Sequence, residues 1–442
     1  MNVFINSNNS DKEYVYLIKD TLRKKGHEVI STDFKIEAGD NLFIKTNEQI
    51  SECDAIILLL NKETLSSKMD LREIESVVLN DITSKKALII PIRTDDSIIP
   101  SYLMNYQIID FSQDIKLGLE KLVLLLSENK GRIDRKEEQE LKEHNDKNQT
   151  FTFVQQLSLA LKSGELTLIC GAGISIGAKI PSWNDLLIDL LKTMIEKISN
   201  KKTISLNSIN KDYEPILSSS SLIMGKYLKT NLGQDFLPEL RDTLYKNNPV
   251  TCDLIKAIVE ISRPQRDGKP LNSIITFNFD ALIEENLEKN NVKFKAIDNE
   301  GIRNSPTELP IYHVHGYLPR KGEISSHTNV VFSEDAYHTQ FIEPFSWSNL
   351  IQLNKLSQNT CLFVGLSLTD PNLRRLLDVA CRKDPSNSLN HFIIKKTPNI
   401  KGSEQIDELM MFLEEQDANE LGLNVLWVKE FDEIGKLIRK LI

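Results

Sequence analysis

GAGISIGAKIPSW, residues 171–183, follows the uncharged run LTLIC at 166–170 and precedes apolar residues at three- and four-residue spacing out to about residue 198. A short apolar run, a turn with two glycines and then a helical period read as strand, tight turn and helix. Gly171 and Gly173 let the backbone turn sharply and approach a ligand with no Cβ in the way. In that setting the turn amides and the positive end of a helix favour a pyrophosphate. A bare Gly-x-Gly can equally do no more than close a βα unit, so the surrounding chain has to decide.

Outward from the turn, a helix is expected at 151–163 and strands at 273–277, 311–314, 330–332, 361–364, 391–394 and 424–428. Residues 200–248 lack strand signals, carry a serine run at 218–221, and read as a helical insertion beside the sheet; an amphipathic helix, 433–441, closes the chain. Towards the N-terminus, strands are expected at 3–6, 28–31, 55–60, 87–92 and 107–111, with helices such as 12–25 and 71–80 between them. Strands alternating with helices imply a parallel sheet covered on both faces. The fold class is therefore α/β: a flavodoxin-like domain at 1–127, a charged linker or connecting helix at 128–150, and a Rossmann-like domain with a helical insertion at 151–442.

Composition narrows the function. The 442 residues exceed one ordinary core of about 100–200 residues. No apolar run approaches the roughly 20 residues that span a bilayer, and the N-terminus opens as a strand rather than a signal peptide, so no membrane partner is expected. The five scattered cysteines, Cys53, Cys170, Cys252, Cys361 and Cys381, form no CxxC pair, which argues against a zinc ribbon or a disulfide framework and points to a reduced, cytoplasmic setting. No metal site is expected. A formal charge of −9 argues against non-specific nucleic-acid binding.

The full string from Gly171 to Trp183 resembles the sirtuin signature, and further segments follow in sirtuin order. Thr276-Phe277-Asn278-Phe279-Asp280 looks like the family's Thr-x-Asn-x-Asp motif, and His313-Val314-His315-Gly316 like its His-Gly motif. Gly365-Leu366-Ser367-Leu368-Thr369-Asp370 falls where the family places a Gly-x-Ser loop near the adenosine ribose. Each residue also has a plainer reading. Asn278 can cap the following helix, Asp280 can interact with that helix's N-terminus, and His315 can make a structural hydrogen bond. His313 reads as structural, because the family's catalytic histidine directly precedes the glycine. Cys170 reads as buried beside the turn.

The resemblance implies NAD+ as substrate. Breaking the bond between nicotinamide and ribose develops oxocarbenium character, so a catalyst must orient the ring, shield the cation and position a nucleophile. By resemblance, Asn278 would hold a water and the ribose hydroxyls, and His315 would serve as general base. Asp280 would bond the nicotinamide carboxamide. Gly171, Ala172, Gly173 and Ser175 would hold the pyrophosphate, and Gly365, Ser367 and Asp370 the adenosine side. Deacetylases of the family usually carry four zinc-binding cysteines and Asp-Phe-Arg after the proline. Here Pro181 is followed by Ser182-Trp183-Asn184, which resembles the sirtuin-like domains of bacterial antiphage effectors of the Thoeris type. There water is the acceptor, and NAD+ depletion halts the infected cell.

Val3-Phe4-Ile5-Asn6-Ser7 with Ser10-Asp11-Lys12 resembles the opening strand and loop of TIR domains, and Ala38-Gly39-Asp40 falls at that family's BB loop. The segment from Ser67 to Ile74 is similar to the family's Ser-x-Trp-x-x-x-Glu-Leu, with Met69 in place of tryptophan. The glutamate that is catalytic in NAD-cleaving members corresponds to Glu73; its plainer reading is a solvated carboxylate beside Glu75. The expectation is an NAD+ glycohydrolase of antiphage defence. Its TIR-like domain would assemble homo-oligomers or filaments, or act as a second hydrolase, under a phage-derived or nucleotide activator. Two alternatives stand: a nucleotide-binding signalling module, marked by binding without turnover, and a lysine deacylase, marked by acetyl-peptide dependence.

Overall fold

The computed structural model describes residues 1–31, 53–84, 87–97, 99–104, 106–128, 135–199, 220–264, 268–325, 328–383, 391–399 and 404–442. Ala38, Gly39 and Asp40, residues 129–134 of the linker, and residues 200–219 of the expected insertion lie outside the described residues. Packing divides the chain into two units: Met1–Thr152 with Thr397–Asn419, and Phe153–Lys396 with Glu420–Ile442.

In the first unit β1 (Asn2–Asn6), β2 (Glu28–Ser31), β3 (Ala55–Leu60), β4 (Leu88–Arg93) and β5 (Ile109–Asp110) form one parallel sheet in the order β2-β1-β3-β4-β5. This is the flavodoxin-like order. All six residues of central β3, AIILLL, are buried, as a strand covered on both faces requires. Alternation splits the core: Val3, Ile5, Ile57 and Leu59 pack on one face, Phe4, Ile56 and Leu58 on the other. Phe412, from the helix Glu404–Glu420, joins the second face, with its ring 5.3 Å from Tyr102. Gln416 on that helix donates to the buried Glu75 carboxylate at 2.6 Å. Nothing in the local sequence of 397–419 announces this membership.

The second unit holds β6 (Leu166–Cys170), β7 (Ser273–Thr276), β8 (Phe294–Ile297), β9 (Leu309–His313), β10 (Thr360–Val364), β11 (His391–Lys396) and β12 (Leu423–Val428). Every pairing is parallel, in the order β12-β11-β10-β6-β7-β9-β8. The strand expected at 330–332 is not one. Val330 and Phe332 are buried, but in the apolar cluster formed with the helices Trp183–Ser199, Ser221–Leu232 and Phe236–Tyr245. A short apolar run marks burial, and here helices rather than a sheet supply it. The polar stretch at 135–148 is the first part of one helix, Arg135–Ser163.

Candidate active site

Four adjacent strands end in one row. Val364 of β10 is in register with Cys170 of β6, Cys170 with Thr276 of β7, and Thr276 with His313 of β9. With neighbouring strands about 4.8 Å apart, loops leaving four such ends start within about 15 Å of one another. These are the loops at 171–175, 277–280, 314–316 and 365–370. After β6 the chain builds β7, β8 and β9 on one side and returns to β10 on the other. Such a switch point opens a crevice at the carboxyl ends of the strands, where ligands of open parallel sheets bind.

The glycine turn packs closely on its neighbour. A Cβ on Gly173 would lie 2.7 Å from Gly365 Cα, and one on Gly171 would lie 2.6 Å from Gly365 O. The Gly171 and Gly173 amides donate to Val364 O and Gly365 O, each at 3.0 Å, and those of Ile174 and Ser175 to Gly171 O and Ala172 O, each at 3.1 Å. Close approach of the Gly365 loop, then, already requires both glycines. Ala172 is the exposed residue of the turn, and Cys170 is fully buried beneath it, its thiol pushed up to about 12 by burial.

Beside the turn, the buried Ser175 hydroxyl accepts from Asn278 Nδ2 at 3.2 Å and donates to Asp280 Oδ1 at 3.3 Å. Asn278 does not cap the next helix: its backbone amide goes to Thr276 Oγ1 at 3.1 Å, and its Oδ1 is buried with no protein partner. Asp280, one residue before the N-cap Ala281, meets that helix's N-terminus by accepting the Leu282 amide at 3.0 Å. Burial pushes the Asp280 carboxyl up to about 6; the Leu282 amide pulls it down and the Glu284 charge pushes it up again.

The two histidines of β9 and its loop differ sharply. His313 Nδ1 lies 3.2 Å from Asn278 O and its Nε2 2.7 Å from Glu284 Oε1. Burial lowers its pKa, but Glu284, Asn278 and Asp280 together outweigh burial, and the net shift is upward. His315 is edge-on to Phe277 and Tyr337, with ring centroids 4.6 and 5.7 Å away, and its Nε2 stands 3.4 Å from Asp370 Oδ2, just outside hydrogen-bond geometry. Burial lowers its pKa, Asp370 opposes this, and the net shift is downward. The imidazole is therefore neutral at neutral pH, as a base must be. The glycine after it has a steric cause: Gly316 has φ +105°, and a Cβ there would meet Asn329 O at 2.3 Å.

At the end of β10, Ser367 is exposed and bonded to Thr369 Oγ1 at 2.8 Å. Gly365 lies against the glycine turn, whereas Asp370, expected on the adenosine side, faces His315. In the first unit, Glu73 is half-buried and accepts from Asn6 Nδ2 at 3.3 Å, so it is not a freely solvated carboxylate. Burial, with Asp70 adding and Asn6 opposing, raises its pKa. Sequence reasoning missed Glu284, Tyr337 and Tyr245. The Tyr245 hydroxyl donates to Leu318 O at 2.8 Å and accepts the Ala281 amide at 2.9 Å. Each acts through a partner distant in sequence, so no local signal marks it. Among the described residues no group of three or more His, Cys, Asp or Glu is placed to hold a metal, and no helix is long and apolar enough to cross a membrane.

The chain is similar to known proteins. The TIR domain family model matches residues 3–123, and the SIR2-like domain model matches residues 272–418. The chain thus carries an N-terminal TIR domain followed by a SIR2-like domain. It is 22% identical over 302 residues to the NAD(+) hydrolase ThsA of Enterococcus faecium, covering 65% of this chain and 57% of that protein. It is 20% identical over 300 residues to the NAD(+) hydrolase ThsA of Bacillus cereus (strain MSX-D12), covering 65% and 56%. The match therefore spans little more than half the length of these relatives. The TIR domains of the activated Roq1 resistosome directly recognizing the pathogen effector XopQ align at 15% identity and a TM-score of 0.20, over 33% of this chain and 83% of that one.

Proposed function

We propose that the SIR2-like unit is an NAD+ glycohydrolase, cleaving NAD+ to nicotinamide and ADP-ribose, and that it acts in bacterial antiphage defence by depleting NAD+. The reaction breaks the bond between the nicotinamide nitrogen and the ribose anomeric carbon. The electron pair leaves with nicotinamide, which becomes neutral. Water forms the new carbon–oxygen bond, and its proton passes to His315. Asn278 holds the water and ribose hydroxyls, and Asp280 the carboxamide. The turn at Gly171, Ala172, Gly173 and Ser175, with Gly365 and Ser367, lines the dinucleotide.

The observation that carries this reading is a buried amide oxygen, Asn278 Oδ1, with no protein partner, one strand from a neutral buried imidazole at a topological switch point. Buried polar atoms are nearly always hydrogen-bonded, so a lone acceptor at such a place calls for a ligand or water. The names of the ThsA relatives support the same chemistry. The TIR unit serves assembly into oligomers or filaments, or is a second hydrolase, with a phage-derived or nucleotide activator. In the cytoplasm this assembly would switch the SIR2-like unit on.

Purified full chain, assayed for nicotinamide and ADP-ribose by chromatography across a range of protein concentrations, tests the proposal. Asn278→Ala and His315→Ala should each reduce release at least about 10²–10³-fold, the usual worth of a positioned base or hydrogen-bond partner. Full activity in both variants would refute it.

A further inference from the structure

We infer that Asp370 is the positioning residue of His315, and that Tyr337 governs how strongly it acts. This rests on His315 being the base of the reaction proposed above. Nε2 of His315 is buried without a hydrogen bond, and the polar atom set against it is Asp370 Oδ2, 3.4 Å away. The carboxylate is itself held on both oxygens. Its Oδ1 accepts the Leu373 amide at 2.7 Å at the start of the helix Pro371–Lys383, and its Oδ2 accepts the Tyr337 hydroxyl at 2.8 Å. Phe277 and Tyr337 fix the plane of the ring by edge contacts.

At 3.4 Å, Asp370 Oδ2 is the acceptor within reach of an Nε2–H. With that proton committed to Asp370, the lone pair resides on Nδ1, which is left to take a proton from water. Carboxylates bonded to the far ring nitrogen orient catalytic and metal-bound imidazoles in the same way, fixing tautomer and raising basicity. The groups facing the ring are Asp370 from the 365–370 loop, Tyr337 from the helix Glu334–Ile342, and uncharged Phe277 beyond β7. Of these Asp370 carries the charge, and it acts to raise the imidazole pKa against burial. Tyr337 donates to the very oxygen that faces Nε2, so it withdraws electron density from that contact and weakens it.

Two variants test this on the full chain: Asp370→Asn and Tyr337→Phe. Asparagine caps helices as well as aspartate does, so the Leu373 bond and the fold persist in the first. Steady-state nicotinamide release against pH is measured beside NMR titration of His315 in protein with selectively labelled histidine. Asp370→Asn should lower kcat on the order of 10–100-fold, with KM within about twofold, and move the His315 titration to lower pH. Tyr337→Phe should move that titration to higher pH. If Asp370→Asn instead raises KM, with kcat and the His315 titration unchanged, Asp370 binds ligand and the inference is wrong. A wild-type chain inert towards NAD+ whose His315 titration still responds to both variants would defeat the glycohydrolase reading alone. An active wild type with an unresponsive titration would defeat this inference alone.

Discussion

At the switch point of the first sheet, between β1 and β3, polar side chains bond to one another. Asn8 donates to Thr64 Oγ1 at 2.8 Å, Asn61 to Asp11 Oδ1 at 2.8 Å, and Asn6 to Glu73 Oε2 at 3.3 Å. At the switch point of the second sheet, between β6 and β10, the neighbouring loops leave Asn278 Oδ1 and His315 Nε2 buried and unmatched. Both edges obey the same topological rule, and both carry a carboxyl group raised by burial, Glu73 in one and Asp280 in the other. The difference is satisfaction. A network that meets its own hydrogen-bonding needs holds a fold, whereas one that does not is organised around something else. The contrast supports the proposal that NAD+ cleavage belongs to the second edge.

Asp280→Asn sharpens this contrast most. If Asp280 holds the carboxamide as proposed, losing its carboxylate should reduce nicotinamide release by about 10²-fold or more. The same change should stabilise the fold at high pH. The folded pKa of Asp280 is about 6, raised from an ordinary 3.8, so its stabilising contribution is complete below 3.8 and is lost as pH rises through 6. Asparagine keeps the acceptor for Leu282 and Ser175 without the buried charge. Urea unfolding at pH 8 should favour the variant by on the order of 1–3 kcal/mol, with the gap closing at pH 4. Equal stability at pH 8 would mean that Asp280 is not sealed from solvent.

Glu73→Gln should do least. Nicotinamide release should stay within about twofold and stability within about 1 kcal/mol, because the half-buried carboxylate gives way to an amide that can still meet Asn6. An inactive Glu73→Gln chain beside an active His315→Ala chain would reverse the contrast between the two edges.

Much of this was legible in the sequence where a signal is local. β3 and β6 show as apolar runs, and the motif residues follow directly on strand ends, where a chain must turn. What escaped depends on distant partners. β8 is an edge strand whose FKAI has one buried residue, too weak a pattern to stand out. The run at 330–332 is apolar because helices cover it. Phe412 gives no hint that its helix belongs with the first unit. The glycines at 171 and 173 were legible as glycines, but the Gly365 loop that requires them lies almost 200 residues away. Tyr337 and Glu284 are ordinary helix residues until His315, Asp370 and His313 are folded against them.

The most direct test is a crystal structure of the Asn278→Ala chain with NAD+ bound. The dinucleotide should lie across the ends of β10, β6, β7 and β9, with the anomeric carbon within about 4 Å of the His315 imidazole or of a water it holds. Dinucleotide bound instead beside Asn6 and Glu73, or with its ribose turned away from His315, would contradict the proposal.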